Sequence, residues 1–438
     1  MFGAETRPEH SGERWREMAR GFRYRSLPAA VALGLTGLVA ACGGQAGPVV
    51  ERAGLGVLTP SPVADPLSAP VTEKLDRAVN EVMRETKAPG AIIGLWMGDS
   101  SYVRAFGVSD KATKEPMAAN LFMRIGSETK TFTVTALLRL VDQGKVKLDD
   151  PISQYVPGVP SGERITLRQL AGMKSGLYPY TSDAGFQKAM LADPKRAFKP
   201  RDLLAYSFGH PLVFQPGERF EYSNTNTVLL GLVIEKAGGK PLAEFIRQEV
   251  LVPAKLRRTL FPKGTEFPRP HAHGYTTQSA DGKPTDATGW SSSWAWAAGA
   301  MISTLDDLRT WAPALATGTL LSTGTQAERM KGAYEPFPGL RYGLGMFEVR
   351  GWLGHNGSLP GYQTVTVHLP SERATLVVLT NTDAQHEGRD VGTLLARAVT
   401  RVATPDHVYT LPATPSASPT AAATPTTSAS PAAGRTGD

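Results

Sequence analysis

Cysteine is nearly missing from these 438 residues: Cys42 stands alone, so no disulfide can form within the chain. The apolar run at 27–41 is about fifteen residues by the usual signal h-region length, too short for a transmembrane helix. G-x-S-x-G does not occur, which argues against an esterase of the α/β-hydrolase type. No internal repeat is visible. The formal charge is +7 and the pI near 9.3, yet the basic residues are dispersed among acidic ones. No block of lysine and arginine stands out beyond the N-terminus, so no nucleic-acid partner is expected. His271-Ala272-His273 has a spacing seen in metal sites, but no third ligand follows at a suitable distance. The pair reads as structural, and neither metal nor cofactor is expected.

What is present divides the chain by composition. Apolar residues make up 41%, enough for a sizeable core. The run 27–41 follows Arg20, Arg23 and Arg25 and ends Val39-Ala40-Ala41-Cys42-Gly43-Gly44, which resembles a bacterial lipobox. Residues 1–41 therefore read as a lipoprotein signal peptide, with Cys42 acylated and the protein held at the cell membrane, facing outside the cytoplasm. Residues 42–71, rich in Gly, Pro, Ala and Val, read as a flexible tether. Residues 404–438 are Pro, Thr, Ala and Ser with almost no apolar bulk and read as a disordered tail.

Between these ends lies a domain at 72–403. Residues 71–85 carry a helical pattern, and 91–97 and 102–107 read as two strands joined by a turn. Near its close, 363–369 alternate, 370–373 turn, 374–379 form a continuous apolar strand, and 391–402 form a helix. Strands at both ends with helices between fit an antiparallel sheet covered by helices, with a helical lobe inserted.

Ser127-Glu128-Thr129-Lys130 runs straight into an apolar stretch that reads as an amphipathic or buried helix. Ser127 and Lys130 then share one helix face, about 5–6 Å apart at Cβ. A serine hydroxyl needs an adjacent base to become a nucleophile. A lysine serves only if held neutral, which requires its ordinary pKa of about 10.4 to fall by several units. S-x-x-K alone arises by chance about once in a chain this long. Two further motifs follow in order: Tyr222-Ser223-Asn224, the only Y-x-N in the chain, and His355-Asn356-Gly357 at the end of a strand-like stretch.

The order S-x-x-K, Y-x-N, H-x-G is similar to that of the serine β-lactamase and penicillin-binding-protein superfamily. The segments around 164–178, 223–235 and 294–308 resemble those flanking the same motifs in its class C β-lactamase-related branch. Within that branch the chain looks most like a D-alanyl-D-alanine carboxypeptidase, because class C β-lactamases carry K-T-G where His355-Asn356-Gly357 stands here. The resemblance implies an α+β fold of the β-lactamase/transpeptidase type: an antiparallel sheet flanked by helices plus a helical lobe. It implies that Ser127 forms an acyl-enzyme and that Lys130 and Tyr222 move its proton, with the division between them left open. Asn224 would bind the substrate's acyl-side carbonyl and orient Lys130. His355 would hold a substrate carboxylate or pass a proton, and Asn356, Gly357 and Ser358 would line the substrate site. The oxyanion would be held by the N–H groups of Ser127 and Ser358.

Peptidoglycan-derived D-peptides, β-lactams or small esters are the implied partners. A β-lactamase or esterase on the same scaffold is the alternative activity, and a non-catalytic penicillin- or envelope-binding protein the alternative of another class. One departure bears on the substrate: a free carboxylate calls for a cation, and after Tyr342-Gly343-Leu344-Gly345-Met346 stands Phe347, leaving Arg341 and Arg350 as candidates. Tyr178, Tyr180, Phe186 and Trp294 are candidates for an aromatic cleft wall. For the anchor, Cys42→Ser is expected to move the protein from the membrane to the soluble fraction; membrane retention of that variant would show the apolar run to be an uncleaved helix.

Overall fold

Alternate residues of the stretch 374–380 enter two different hydrophobic cores. Leu376 and Val378 pack into one, Val377 and Leu379 into the other, and all four are fully buried. The same division holds at 91–96, where Ala91, Ile93 and Leu95 enter the first core and Ile92 and Trp96 the second. A strand that is apolar on both faces belongs to the middle of a sheet covered on both sides. The computed structural model describes residues 65–412. Cys42 with the expected lipobox, most of the expected tether and residues 413–438 lie outside the described residues.

Nine strands form the sheet: β1 (Asp65–Pro66), β2 (Gly90–Met97), β3 (Ser100–Gly107), β4 (Tyr334–Phe337), β5 (Leu340–Tyr342), β6 (Phe347–Val349), β7 (Trp352–Leu359), β8 (Tyr362–Leu369) and β9 (Ala374–Thr380). Their spatial order is β1-β3-β2-β9-β8-β7-β6-β5-β4. Every neighbouring pair is antiparallel except β1 and β3. The expected α+β architecture, an antiparallel sheet with flanking helices and a helical region, is what the chain adopts.

Five helices position the rest: α1 (Ala69–Thr86), α2 (Thr129–Asp142), α3 (Asn224–Gly238), α4 (Leu305–Thr317) and α5 (Val391–Ala403). Leu75 and Val79 of α1 and Leu395 and Val399 of α5 cover one face of the sheet. Against the other face lie α2, α4 and the helical region that contains α3. Nearly every residue of α2 from Thr129 to Leu140 is buried, so it is a core helix rather than an amphipathic one. Trp311 of α4 stacks on Phe132 of α2 with ring centroids 4.2 Å apart.

Both domain boundaries move outward from where composition put them. On the N-terminal side, Asp65 and Pro66, expected to lie in the tether, pair with Ser100 and Ser101. The tail does not begin at Thr404. Pro405–His407 form a short turn, and the chain runs on to Pro412 with Tyr409 fully buried. Two apolar residues, Tyr409 and Leu411, suffice to dock a segment whose composition otherwise reads as disordered.

Leu376 is fully buried at the centre of the sheet, so Leu376→Ala is expected to cost about 2–5 kcal/mol in urea unfolding. A loss below ~1 kcal/mol would mean that the site collapses around the cavity.

Candidate active site

Strand-like Met123–Arg124 pairs with Ile302–Ser303, and the chain then turns at Gly126 into a single 3-10 turn that opens α2. Gly126 has φ +53°, and a Cβ on it would lie 2.7 Å from the Ser358 nitrogen. A Cβ on Gly357 would lie 2.0 Å from the Ile125 oxygen and 2.9 Å from the Ser127 nitrogen. Neither position has room for a side chain, so two glycines bring the Ser127 turn and strand β7 into backbone contact. Strand β6 pairs with β7 only as far as Gly354. Beyond it, 355–359 are paired on the β8 side alone.

Lys130 Nζ lies 2.9 Å from Ser127 Oγ and donates to the Ala298 carbonyl at 2.7 Å. The side chain is fully buried, and no carboxylate pairs with it among the described residues. Burial therefore holds its pKa well below the usual lysine range. A neutral amine has one lone pair, which is free to take the proton of the serine hydroxyl. The Ala298 segment is itself clamped to α2: Thr133 donates to the Ala297 carbonyl at 2.8 Å, and the Met301 N–H donates to Thr129 at 3.1 Å.

Tyr222 stands over the pair, with Lys130 Nζ 4.8 Å from its ring centroid. One edge of the residue, 38% of its surface, is open to solvent, while its phenol lies against Ser127. Burial of that hydroxyl pushes its pKa up, with a hydrogen bond from Ser127 opposing the rise. The environment thus drives the lysine neutral and keeps the phenol protonated. Glu128, the other residue of this turn, is fully buried; burial raises its carboxyl well above the usual range, and Oε2 has no partner.

His355 is 2% exposed. Its Nδ1 lies 2.5 Å from the Asn356 carbonyl and so carries the proton, while Nε2 accepts from the Tyr342 hydroxyl at 3.2 Å. Burial, with the Lys130 amine nearby, pushes its pKa down to about 3. At neutral pH it is an uncharged imidazole with both nitrogens occupied. It offers no fixed charge for a substrate carboxylate.

A cavity of about 390 Å³ opens beside Ser127. Tyr222, His355, Asn356, Gly357 and Ser358 line it on the catalytic side, and Phe220, Phe337, Leu340, Tyr342 and Phe347 form an apolar wall. Among the described residues, no lysine or arginine lines it. Arg341 is paired with Glu348 at 2.9 Å, and Arg350 occupies the turn after β6 at φ +53°. Neither lines the cavity.

The structure brings together Ser127, Lys130, Tyr222, His355, Asn356, Gly357 and Ser358. Asn224 sits at the start of α3, but its Oδ1 accepts no hydrogen bond. Lys130 is oriented by the Ala298 carbonyl in its place. Tyr180 and Phe186 are not cleft wall: they are buried in the helical region, where Tyr180 donates to the Trp294 carbonyl at 2.6 Å and the two rings meet edge to face. Tyr178 stacks on His210 instead. His271 and His273 are engaged by the Pro268 carbonyl and Asp286 respectively. Ala298, Tyr342 and the wall residues Phe220 and Phe337 carry no motif signal. Thr129 and Thr133, polar residues one turn apart on a buried helix, hint at the Ala297–Met301 clamp.

The beta-lactamase family model matches residues 75–401. Penicillin-binding protein 4* of Bacillus subtilis (strain 168) is 26% identical over 68% of this chain and 69% of its own length. Against several other curated relatives the chain spans about half their length, 48%. Among solved structures, a D-stereospecific amidohydrolase from Streptomyces sp. is 32% identical, covering 71% of this chain and 94% of its own, with a TM-score of 0.66. The D-amino acid amidase from Ochrobactrum anthropi SV3, complexed with D-phenylalanine, is 26% identical over 76% and 99%, with a TM-score of 0.67.

Between pH 6.5 and about 3 the unfolded chain binds a proton at His355 that the folded protein refuses. Stability must therefore fall as pH falls through that window. His355→Gln is expected to flatten this slope by up to about 1.4 kcal/mol per pH unit, read from urea unfolding of both proteins at about pH 4.5 and about pH 7. Parallel pH profiles would show His355 to be protonated in the fold.

Proposed function

The chain belongs to the beta-lactamase family, matched across its described core at 75–401, and from that premise we propose a serine hydrolase that works through an acyl-enzyme on uncharged D-aminoacyl amides or esters. The observation that carries the chemistry is Lys130, fully buried without an anionic partner 2.9 Å from Ser127 Oγ. Ser127 attacks the substrate carbonyl as Lys130 takes its proton. The N–H groups of Ser127 and Ser358 hold the developing oxyanion, helped by the positive end of α2. Tyr222, still protonated, delivers a proton to the leaving group. Water then releases the acyl group by the reverse sequence. The opposite directions of the two pKa shifts support lysine as base and tyrosine as acid. A non-catalytic binder has no use for a buried, unpaired lysine beside a serine.

The cavity supports the substrate class. Its lining has no lysine or arginine and His355 is neutral there, whereas a D-alanyl-D-alanine carboxypeptidase must desolvate a free carboxylate. Two of the similar structures are of a D-stereospecific amidohydrolase and a D-amino acid amidase, which supports D-configured amides or esters. Carboxypeptidase action keeps the support of the likeness to penicillin-binding protein 4* and is the second reading. Anchoring through Cys42 remains part of the proposal.

A fluorophosphonate is expected to add to Ser127, seen as one adduct by intact mass and lost in Ser127→Ala. On the same protein, a D-phenylalanyl ester is expected to exceed a D-alanyl-D-alanine peptide by about tenfold or more in kcat/KM, the usual worth of one missing charged hydrogen bond. A preference for the peptide would restore the carboxypeptidase reading, and a folded protein with no adduct would leave only the binder.

A further inference from the structure

Residues 404–412 lie beyond the matched family span and were no part of any motif, yet they reach the active site. Leu411 and Pro412 line the cavity beside Ser127. The segment is fastened rather than draped. Trp352 Nε1 of β7 donates to the His407 carbonyl at 2.7 Å, and His407 Nδ1 donates to the Arg350 carbonyl at 2.9 Å. The Tyr409 N–H donates to Thr400 Oγ1 at 2.9 Å. Tyr409 itself is fully buried, its ring 6.4 Å from that of Phe347, a wall residue of the same cavity. Leu411, two residues on, is thereby placed by a rigid anchor. Phe337, in the hairpin of β4 and β5 and 50% exposed, lines the cavity too.

Which half of a substrate enters this cavity follows from the residues around it. An attacked carbonyl carbon at Ser127 Oγ has two remaining substituents, the acyl group and the leaving group. The leaving group departs on the side of the residue that protonates it. Tyr222 and His355 line the cavity, whereas Asn224 and Ala298 do not. Resting on the reading of Tyr222 as proton donor, we propose that the cavity is the leaving-group pocket, that the docked segment 404–412 supplies part of its wall, and that Leu411 is a specificity-determining residue selecting an uncharged, apolar leaving group. At about 390 Å³ the cavity is large enough for a ring.

The test compares esters that share one D-aminoacyl group and differ only in the alcohol, methyl against benzyl. The wild-type enzyme is expected to favour the benzyl ester in kcat/KM, and Leu411→Trp, which fills the pocket, to lower the benzyl-to-methyl ratio about tenfold, within the range for small apolar groups in a pocket. Phe337→Ala, at an exposed position that folding does not need, is expected to lower the same ratio by removing an apolar contact. A second series holds the alcohol as methyl and varies the acyl side chain; its ratios are expected to stay as in the wild type in Leu411→Trp. An unchanged benzyl-to-methyl ratio in both variants overturns the proposal, and so does a shift confined to the acyl series, which would make this the acyl pocket. Loss of turnover on every ester in wild-type protein would instead sink the hydrolase reading itself.

Discussion

An ammonium group is disfavoured where Lys130 sits without an anionic partner, and among the described residues there is none. Burying an unpaired ion costs several kcal/mol, so the fold settles the matter by removing the proton. Much of the surrounding architecture keeps that amine dry and aimed. Helix α2 is buried along nearly its whole length, the Ala298 carbonyl takes one N–H, and threonines 129 and 133 fix that carbonyl's segment to the helix. The same dryness acts on its neighbours in the directions chemistry requires. It keeps the Tyr222 hydroxyl protonated, His355 neutral and Glu128 biased toward its uncharged form. One constraint, the burial of the groups gathered around Ser127, therefore biases four protonation states.

Charge is equally scarce on the substrate side. The cavity wall is aromatic and aliphatic, Arg341 is engaged with Glu348, and Arg350 does not line it. Recognition in such a pocket depends on shape and apolar area, with direction supplied by a few backbone donors along β7. Phe347, which looked in the sequence like a missing cation, is a positive feature of that wall. It packs against the tyrosine that anchors the C-terminal segment.

The sheet and the side chains that gather at the candidate site were legible in the sequence because both leave periodic or spaced traces. The strands at 91–97 and 374–379 are dense in β-branched and apolar residues, and Ser127, Lys130, Tyr222 and His355 stand in ordered motifs. What stayed hidden was carried by backbone atoms and by environment. The Ala298 carbonyl has no residue-type signature, so the sequence suggested Asn224 as the group that orients Lys130. His355 could be named as a site residue, but its charge depends on burial that no motif encodes. Tyr178, Tyr180, Phe186 and Trp294 read in the sequence as a cleft wall, yet their rings and carbonyls satisfy one another or their neighbours inside the helical region. Composition averaged over 404–438 concealed Tyr409 and Leu411, because two apolar residues vanish among many prolines, threonines and alanines.

The contact between Gly126 and Gly357 has a temporal side as well. The two backbones that meet there, at Ser127 and Ser358, come from segments separated by most of the domain. Until strand β7 has paired with β8, the serine turn has nothing to rest against on that side. Long-range pairing of this kind forms late, after the entropy of closing a very long loop has been overcome. Before that contact forms, the serine and the lysine are only neighbours on one turn. The geometry of the serine turn is therefore completed only with the sheet itself.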